Sequence, residues 1–171
     1  MILPKSFYEI PAYELAPKLL GKYLVRQLDD GNILKYRITE TEAYYSESDT
    51  ACHAKAGITK RTKPMYEAGG ITYIYLCYGI HYLLNIVSGP ADHPEAVLIR
   101  GIENYDGPGK LTKALTIDKS LNYHDITKKE QLWIEDNFES VEYTTSPRIG
   151  IDYAAEPCLS KHWRFIIKED L

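Results

Sequence analysis

The sequence predicts an α+β fold, a largely antiparallel sheet with helices to its sides. Three observations carry that expectation. Several strand-like segments come in adjacent pairs joined by short turns, which makes antiparallel neighbours. The length of 171 residues favours one domain over 1–171, with room for a sizeable core. Hydrophobic residues at 44% and charged residues at 26% form an ordinary globular mixture that excludes a disordered chain.

Pro11 opens the first helix, with Leu15, Leu19 and Leu20 on one face and Gly21 as its stop. Residues 22–28 read as a strand, Asp29-Asp30-Gly31-Asn32 as a hairpin turn and 33–44 as the return strand. The stretch 45–69 has no clear period, and an irregular segment of that length in a compact domain usually has a function. Residues 71–77 and 81–88 flank Tyr78-Gly79 and read as a second hairpin with Tyr78 at its tip. A further strand, 96–102, holds Arg100 inside an apolar run. Gly107-Pro108-Gly109-Lys110 opens a short helix through Leu115. Thr127 and Glu130 form a capping box for another helix ending near Trp133. Residues 148–153 and 163–167 are the late strands.

Charge narrows the function classes. Twenty Lys+Arg against 24 Asp+Glu give a net charge of −4, which excludes a globally basic nucleic-acid binder. Any such contact must come from a local basic face. The irregular stretch supplies one, since Lys55, Lys60, Arg61 and Lys63 stand there with no acid between 53 and 63. Cys52, Cys77 and Cys158 show no CxxC spacing, so neither a disulfide framework nor a zinc ribbon is expected, and a reduced, cytoplasmic setting fits. The first ten residues lack an apolar core and do not read as a signal peptide. The longest apolar stretch, 73–87, is interrupted by Gly79, His81 and Asn85 and is too short to span a bilayer.

Tyrosine is the unusual residue, with 15 copies against 3 Phe and 2 Trp, and seven of them lie between Tyr44 and Tyr82. Its apolar body and polar tip suit stacking sites as well as cores. Glu40, Glu42 and Tyr44 share one strand face, so a carboxylate beside an aromatic ring could serve as a general base or be a solvated strand end. His53 follows in the basic loop, and Tyr73 and Tyr75 share a face of the second hairpin. Asn85 and Arg100 are polar residues within apolar strands. They need partners, because an unpaired buried polar group costs about 1–3 kcal/mol. The Gly-Pro-Gly-Lys turn can offer free N–H groups to a phosphate, with Lys110 adding charge, as Arg61 does in the loop. These features together describe a site for a flat aromatic group flanked by phosphate-binding elements. A nucleobase within a polynucleotide fits it best.

The segments Leu20-Gly21-Lys22, Glu40-Thr41-Glu42-Ala43-Tyr44, His53-Ala54 and Tyr73 through Asn85 carry a resemblance that continues with Val97-Leu98-Ile99-Arg100, Gly107-Pro108-Gly109-Lys110-Leu111, Arg148-Ile149-Gly150 and Trp163-Arg164-Phe165. In that order and spacing the chain resembles the alkyladenine (3-methyladenine) DNA glycosylases of the mammalian-type fold. The resemblance implies a single mixed domain with a curved antiparallel sheet and a protruding hairpin. It implies excision of damaged purines from double-stranded DNA. A monomer without cofactor, metal or membrane association is expected. By position, Glu42 would activate the attacking water and Arg100 would help place it. Tyr44, His53 and Tyr75 would form the base pocket, Asn85 would help exclude guanine, and Tyr78 would enter the minor groove. Arg61 and Lys110 would meet the DNA backbone. The chain departs from the family's usual Thr-Pro-Arg-Asn with Thr59-Lys60-Arg61-Thr62. Two other readings stay open. One is a helix-hairpin-helix glycosylase using Asp118 or Asp125. The other is a non-catalytic single-strand binding module built on the tyrosines.

Overall fold

Alternate residues of a strand point to opposite sides of its sheet, and this sequence loads the two sides differently. The computed structural model describes residues 1–169. In chain order it contains α1 (Lys5–Tyr8), α2 (Ala12–Leu19), β1 (Tyr23–Gln27), β2 (Ile33–Tyr45), β3 (Thr72–Cys77), β4 (His81–Val87) and β5 (Glu95–Ile102). There follow β6 (Tyr105–Asp106), α3 (Pro108–Ala114), β7 (Leu132–Glu135), β8 (Tyr143–Ser146) and β9 (Arg164–Ile167). All nine strands join one curled antiparallel sheet in the order β3-β4-β5-β2-β1-β7, with β6 on β5, β9 on β2 and β8 on β9. The α+β expectation holds.

On one side of the sheet Ala43, Ile74, Leu84, Ile86, Val97 and Ile99 pack against Leu15 and Leu19 of α2 and Leu111 of α3. This is the main core, where each fully buried leucine contributes about 1.5–3 kcal/mol. Helix α2 follows Pro11, and its first free N–H, that of Ala12, is satisfied by Glu95 Oε1 at 2.8 Å. Tyr73, Val87 and Ala96, one residue out of step with the core positions, face the other side. There they pack against Cys52, Ala54, Met65 and Tyr66 of the 45–69 segment.

Strand β2 explains the curl. Its first half pairs with β1 on one edge, and its second half pairs with β9 there, while β5 runs along the opposite edge. The register with β5 shifts on both sides of Glu40. Such irregularities sharpen local twist and re-aim side chains. They fall immediately before Glu42.

The 45–69 segment is irregular but packed. It holds two short 3₁₀ turns, His53–Ala56 and Lys63–Tyr66. The Thr59-Lys60-Arg61-Thr62 stretch closes on itself, with the Thr62 hydroxyl donating to Gly57 O at 2.9 Å and the Thr59 N–H donating to Thr62 Oγ1 at 2.9 Å. β3 and β4 form the expected hairpin, with Cys77 opposite His81.

Two expectations fail. No helix forms between Thr127 and Trp133. Asp125 Oδ1 accepts the N–H and hydroxyl of Thr127, at 2.9 and 2.6 Å, which makes a local turn in place of a capping box. Leu132, Trp133 and Ile134 are then drawn into β7 by pairing with β1. Residues 148–153 form no strand either. Buried contacts of Arg148 pin that stretch, Gly150 adopts φ +73°, and the strand lies earlier as β8. Among the described residues no helix is long and apolar enough to cross a membrane, and all three cysteines are unpaired.

Candidate active site

Glu42 is wholly buried near the end of β2, with both carboxylate oxygens engaged. Oε1 accepts the Tyr44 hydroxyl at 3.0 Å and Arg100 Nη1 at 3.4 Å. Oε2 accepts the backbone N–H of Ile149 at 2.6 Å. Arg100 also approaches Glu40 Oε1 at 3.4 Å, an oxygen that Arg164 Nε reaches at 2.5 Å. Burial pushes the Glu42 carboxyl above its ordinary value, while Arg100, the Ile149 N–H and the Tyr44 hydroxyl pull it back. A carboxylate offers about four lone-pair sites, and three donors engage this one, whose side chain has no exposed surface.

Tyr44 connects this carboxylate to a cavity. The cavity measures about 30 Å³ and is lined by Tyr44, His53, Tyr73, Tyr75, Asn85 and Tyr153, among others. Four candidates from the sequence, Tyr44, His53, Tyr75 and Asn85, therefore meet at one place. Sheet alternation brings Tyr44, Tyr75 and Asn85 there, since Tyr73 pairs with Asn85, Asn85 with Leu98, and Leu98 with Glu42, all on one side, whereas His53 arrives from the 3₁₀ turn of the 45–69 segment. Glu42 itself does not line the cavity; the Tyr44 side chain stands between. The volume admits one or two waters, far below the roughly 300 Å³ or more of a ligand pocket, so a larger planar group would need the walls to move.

His53 Nδ1 lies 2.9 Å from the Tyr73 hydroxyl, and its ring meets Tyr75 edge-on at 4.6 Å. Burial, then the charges of Arg61 and Lys55, push its imidazole down to about 4, so it is neutral at neutral pH. Asn85 Nδ2 donates to Tyr73 O at 3.1 Å, which is the partner its buried position requires.

The remaining candidates lie outside the cavity. Tyr78 sits in the turn between β3 and β4 and is 90% exposed. Arg61 lies with its guanidinium carbon 5.0 Å from the Tyr75 ring centre, at the pocket's rim. Lys110 is exposed in the first turn of α3, a helix that buttresses β4 through the Thr112 hydroxyl bond to Tyr82 O. Asp118 and Asp125 have local work: Asp118 accepts from Ser120, and Asp125 holds the Thr127 turn.

Sequence reasoning passed over two participants. Tyr153 lines the cavity, although its segment reads as a strand; the tyrosine excess was the available signal. Arg148, taken as a strand residue, is buried against Tyr44, with its guanidinium carbon 4.9 Å from the ring centre. A larger open groove of about 960 Å³ reaches the same charge network from another side, lined by Glu40 and Arg164 together with Arg37, Glu103, Asp106 and Glu142. It holds no cluster of aromatic rings comparable to the small cavity.

Comparison with known proteins converges on one family. A family model described as Methylpurine-DNA glycosylase matches residues 6–106 and 103–171. A Psychrobacter cryohalolentis protein named "Putative 3-methyladenine DNA glycosylase" is 42% identical over 191 residues, covering 95% of this chain and 89% of its own. A protein of the same name from Clostridium botulinum is 41% identical, covering 99% of this chain and 97% of its own. One from Borreliella burgdorferi is 39% identical and covers 98% and 97%.

Proposed function

The chain belongs to the methylpurine-DNA glycosylase family, and from that premise we propose that it removes alkylated or deaminated purines from double-stranded DNA by hydrolysing the N-glycosidic bond. As a DNA glycosylase it is a hydrolase of DNA repair. The observation that carries the finer reading is the buried Glu42 carboxylate. It is held by Arg100, Tyr44 and the Ile149 N–H beside a tyrosine-lined cavity.

The damaged nucleotide leaves the stack and its base enters between the tyrosines. Extrusion costs a few kcal/mol, and stacking returns about 1–3 kcal/mol per base. Tyr78 fills the gap left in the duplex. Glu42 takes a proton from water as that water attacks C1′, and its charge stabilises the oxocarbenium-like transition state. Arg100 orients the water and favours the ionised form of Glu42 against the effect of burial. Neutral His53 and Tyr73 supply hydrogen bonds at the base, and Asn85 excludes the exocyclic amino group of guanine. Arg61 and Lys110 meet backbone phosphates. Water is the nucleophile, and the enzyme is monofunctional, without strand-nicking activity. It works as a monomer.

The test is a base-release assay on duplexes that each carry one defined lesion: 3-methyladenine, 7-methylguanine, hypoxanthine or ethenoadenine. Wild type should release at least one of these bases, and Glu42→Gln should lose about 100- to 10,000-fold in rate, the usual contribution of a general base. Near-normal release by that variant would reject the mechanism. Inactivation by Asp118→Asn with Glu42→Gln active would favour the helix-hairpin-helix reading.

A further inference from the structure

Arg148 carries a buried positive charge near the site. Its side chain and that of Asp49 are both 0% exposed. The two form a forked ion pair, with Nη1 to Oδ2 at 2.6 Å and Nη2 to Oδ1 at 2.9 Å. Asp49 is itself fixed by the N–H groups of Tyr45 and Ala51. Desolvating two charges generally offsets their attraction, so a buried pair of this kind is weak as a stability device. What it holds in place is more informative.

The guanidinium carbon lies 4.9 Å from the Tyr44 ring centre and 5.1 Å from that of Trp163. Nη1 also donates to Ala43 O at 3.0 Å, and Ala43 is the residue between Glu42 and Tyr44. Nη2 donates to Cys158 O at 3.1 Å. The next residue along the chain is Ile149, whose N–H holds Glu42 Oε2. We propose that Arg148 is the positioning residue of this site, one buried guanidinium that sets both the Tyr44 hydroxyl on Oε1 and the Ile149 N–H on Oε2 of Glu42. The proposal rests on Glu42 being the general base.

A lysine at 148 keeps the charge but loses the planar fork that fits Asp49 and stacks on Tyr44. A methionine loses the charge as well. Either change loosens two donors to Glu42, and the loss of donors favours the protonated acid. The other ionisable groups facing Glu42 are Glu40 and Tyr44 on its own strand and Arg100 on β5, with Arg164 of β9 acting through Glu40. Glu40, Arg100 and Arg164 are unaltered by the substitution, whereas Tyr44 loses the guanidinium stacked on its ring.

The experiment measures single-turnover base release against pH for wild type, Arg148→Lys and Arg148→Met, with a thermal melt of each. Arg148→Met should lose roughly tenfold or more in rate at neutral pH, the size of one lost hydrogen bond to a charged group. The acidic limb of its profile should move up by about one pH unit. Arg148→Lys should fall between the two proteins in both respects. Loss of the charge alone also moves the limb in the methionine variant, so the lysine variant, which keeps the charge, decides: a staple without a positioning role would lower its rate evenly across pH, and a limb unmoved there overturns the proposal. A carboxyl-carbon NMR titration of Glu42 in the DNA-free proteins reads the same quantity without catalysis. An inactive wild type therefore rejects the glycosylase reading, whereas an unchanged Glu42 midpoint in the variant rejects this one.

Discussion

At the scale of single residues, two buried ionisable groups make opposite pH predictions. Glu42 is held above the ordinary carboxyl value, chiefly by burial. The native state then keeps a proton that the unfolded chain releases first, so its presence costs stability as pH rises above the unfolded carboxyl value. Glu42→Gln should therefore melt at a higher temperature than wild type at pH 8, with the gap closing toward acid, while losing base release. His53 runs the other way. Its imidazole is at about 4 in the folded protein, with burial the largest cause. Unfolded chains bind the extra proton between about pH 4 and the ordinary histidine value near 6.5, so native stability rises across that window and is lost as pH falls through it. Urea unfolding at pH 4.5 and 7.5 should show up to about 3 kcal/mol of this increment in wild type and little in His53→Gln. Most of these site residues were legible in the sequence because strand alternation puts Glu42, Tyr44, Tyr73, Tyr75 and Asn85 on one face. Arg148 and Tyr153 were not, because they reach the site from irregular backbone, where side-chain direction has no period.

At the scale of elements, the β3–β4 turn is costly for what it does structurally. Tyr78 and Gly79 both take left-handed backbone, φ +51° and +67°, and the Ile80 N–H closes the turn on Cys77 O at 3.1 Å. Glycine accepts that conformation freely; for tyrosine it costs about 1–2 kcal/mol, and the ring projects into water. Tyr78→Gly should leave the melting temperature unchanged or raised. It should weaken binding to a lesion duplex by about 1–3 kcal/mol, the value of one stacked ring, with little change in single-turnover rate at saturating enzyme. Unchanged duplex affinity would remove the wedge from the mechanism. Hairpins and α2 were readable because local turn chemistry and apolar spacing agree with the fold. The segment after Thr127 was misread because a capping pattern and an Asx turn share residue types. Pairing of Trp133 opposite Val25 decided the outcome, and that partner lies far away in sequence.

At the scale of the whole molecule, a net charge of −4 confines attraction for DNA to a few cations. Arg61→Ala and Lys110→Ala should each lower the slope of log affinity against log salt by about 1, uniformly across lesions. A slope that stays put in both variants would place the phosphate contacts elsewhere. Arg61 also has to leave the Tyr75 ring to reach a phosphate, so its substitution reports on rim and backbone together. The same rim bears on how a round of repair ends. Around a space fit for a water or two, the resting protein presents no mould for a loose nucleobase. Free 3-methyladenine at millimolar concentration should thus leave excision from a lesion duplex unslowed, and the cut base should be shed as the protein lets go of its strand.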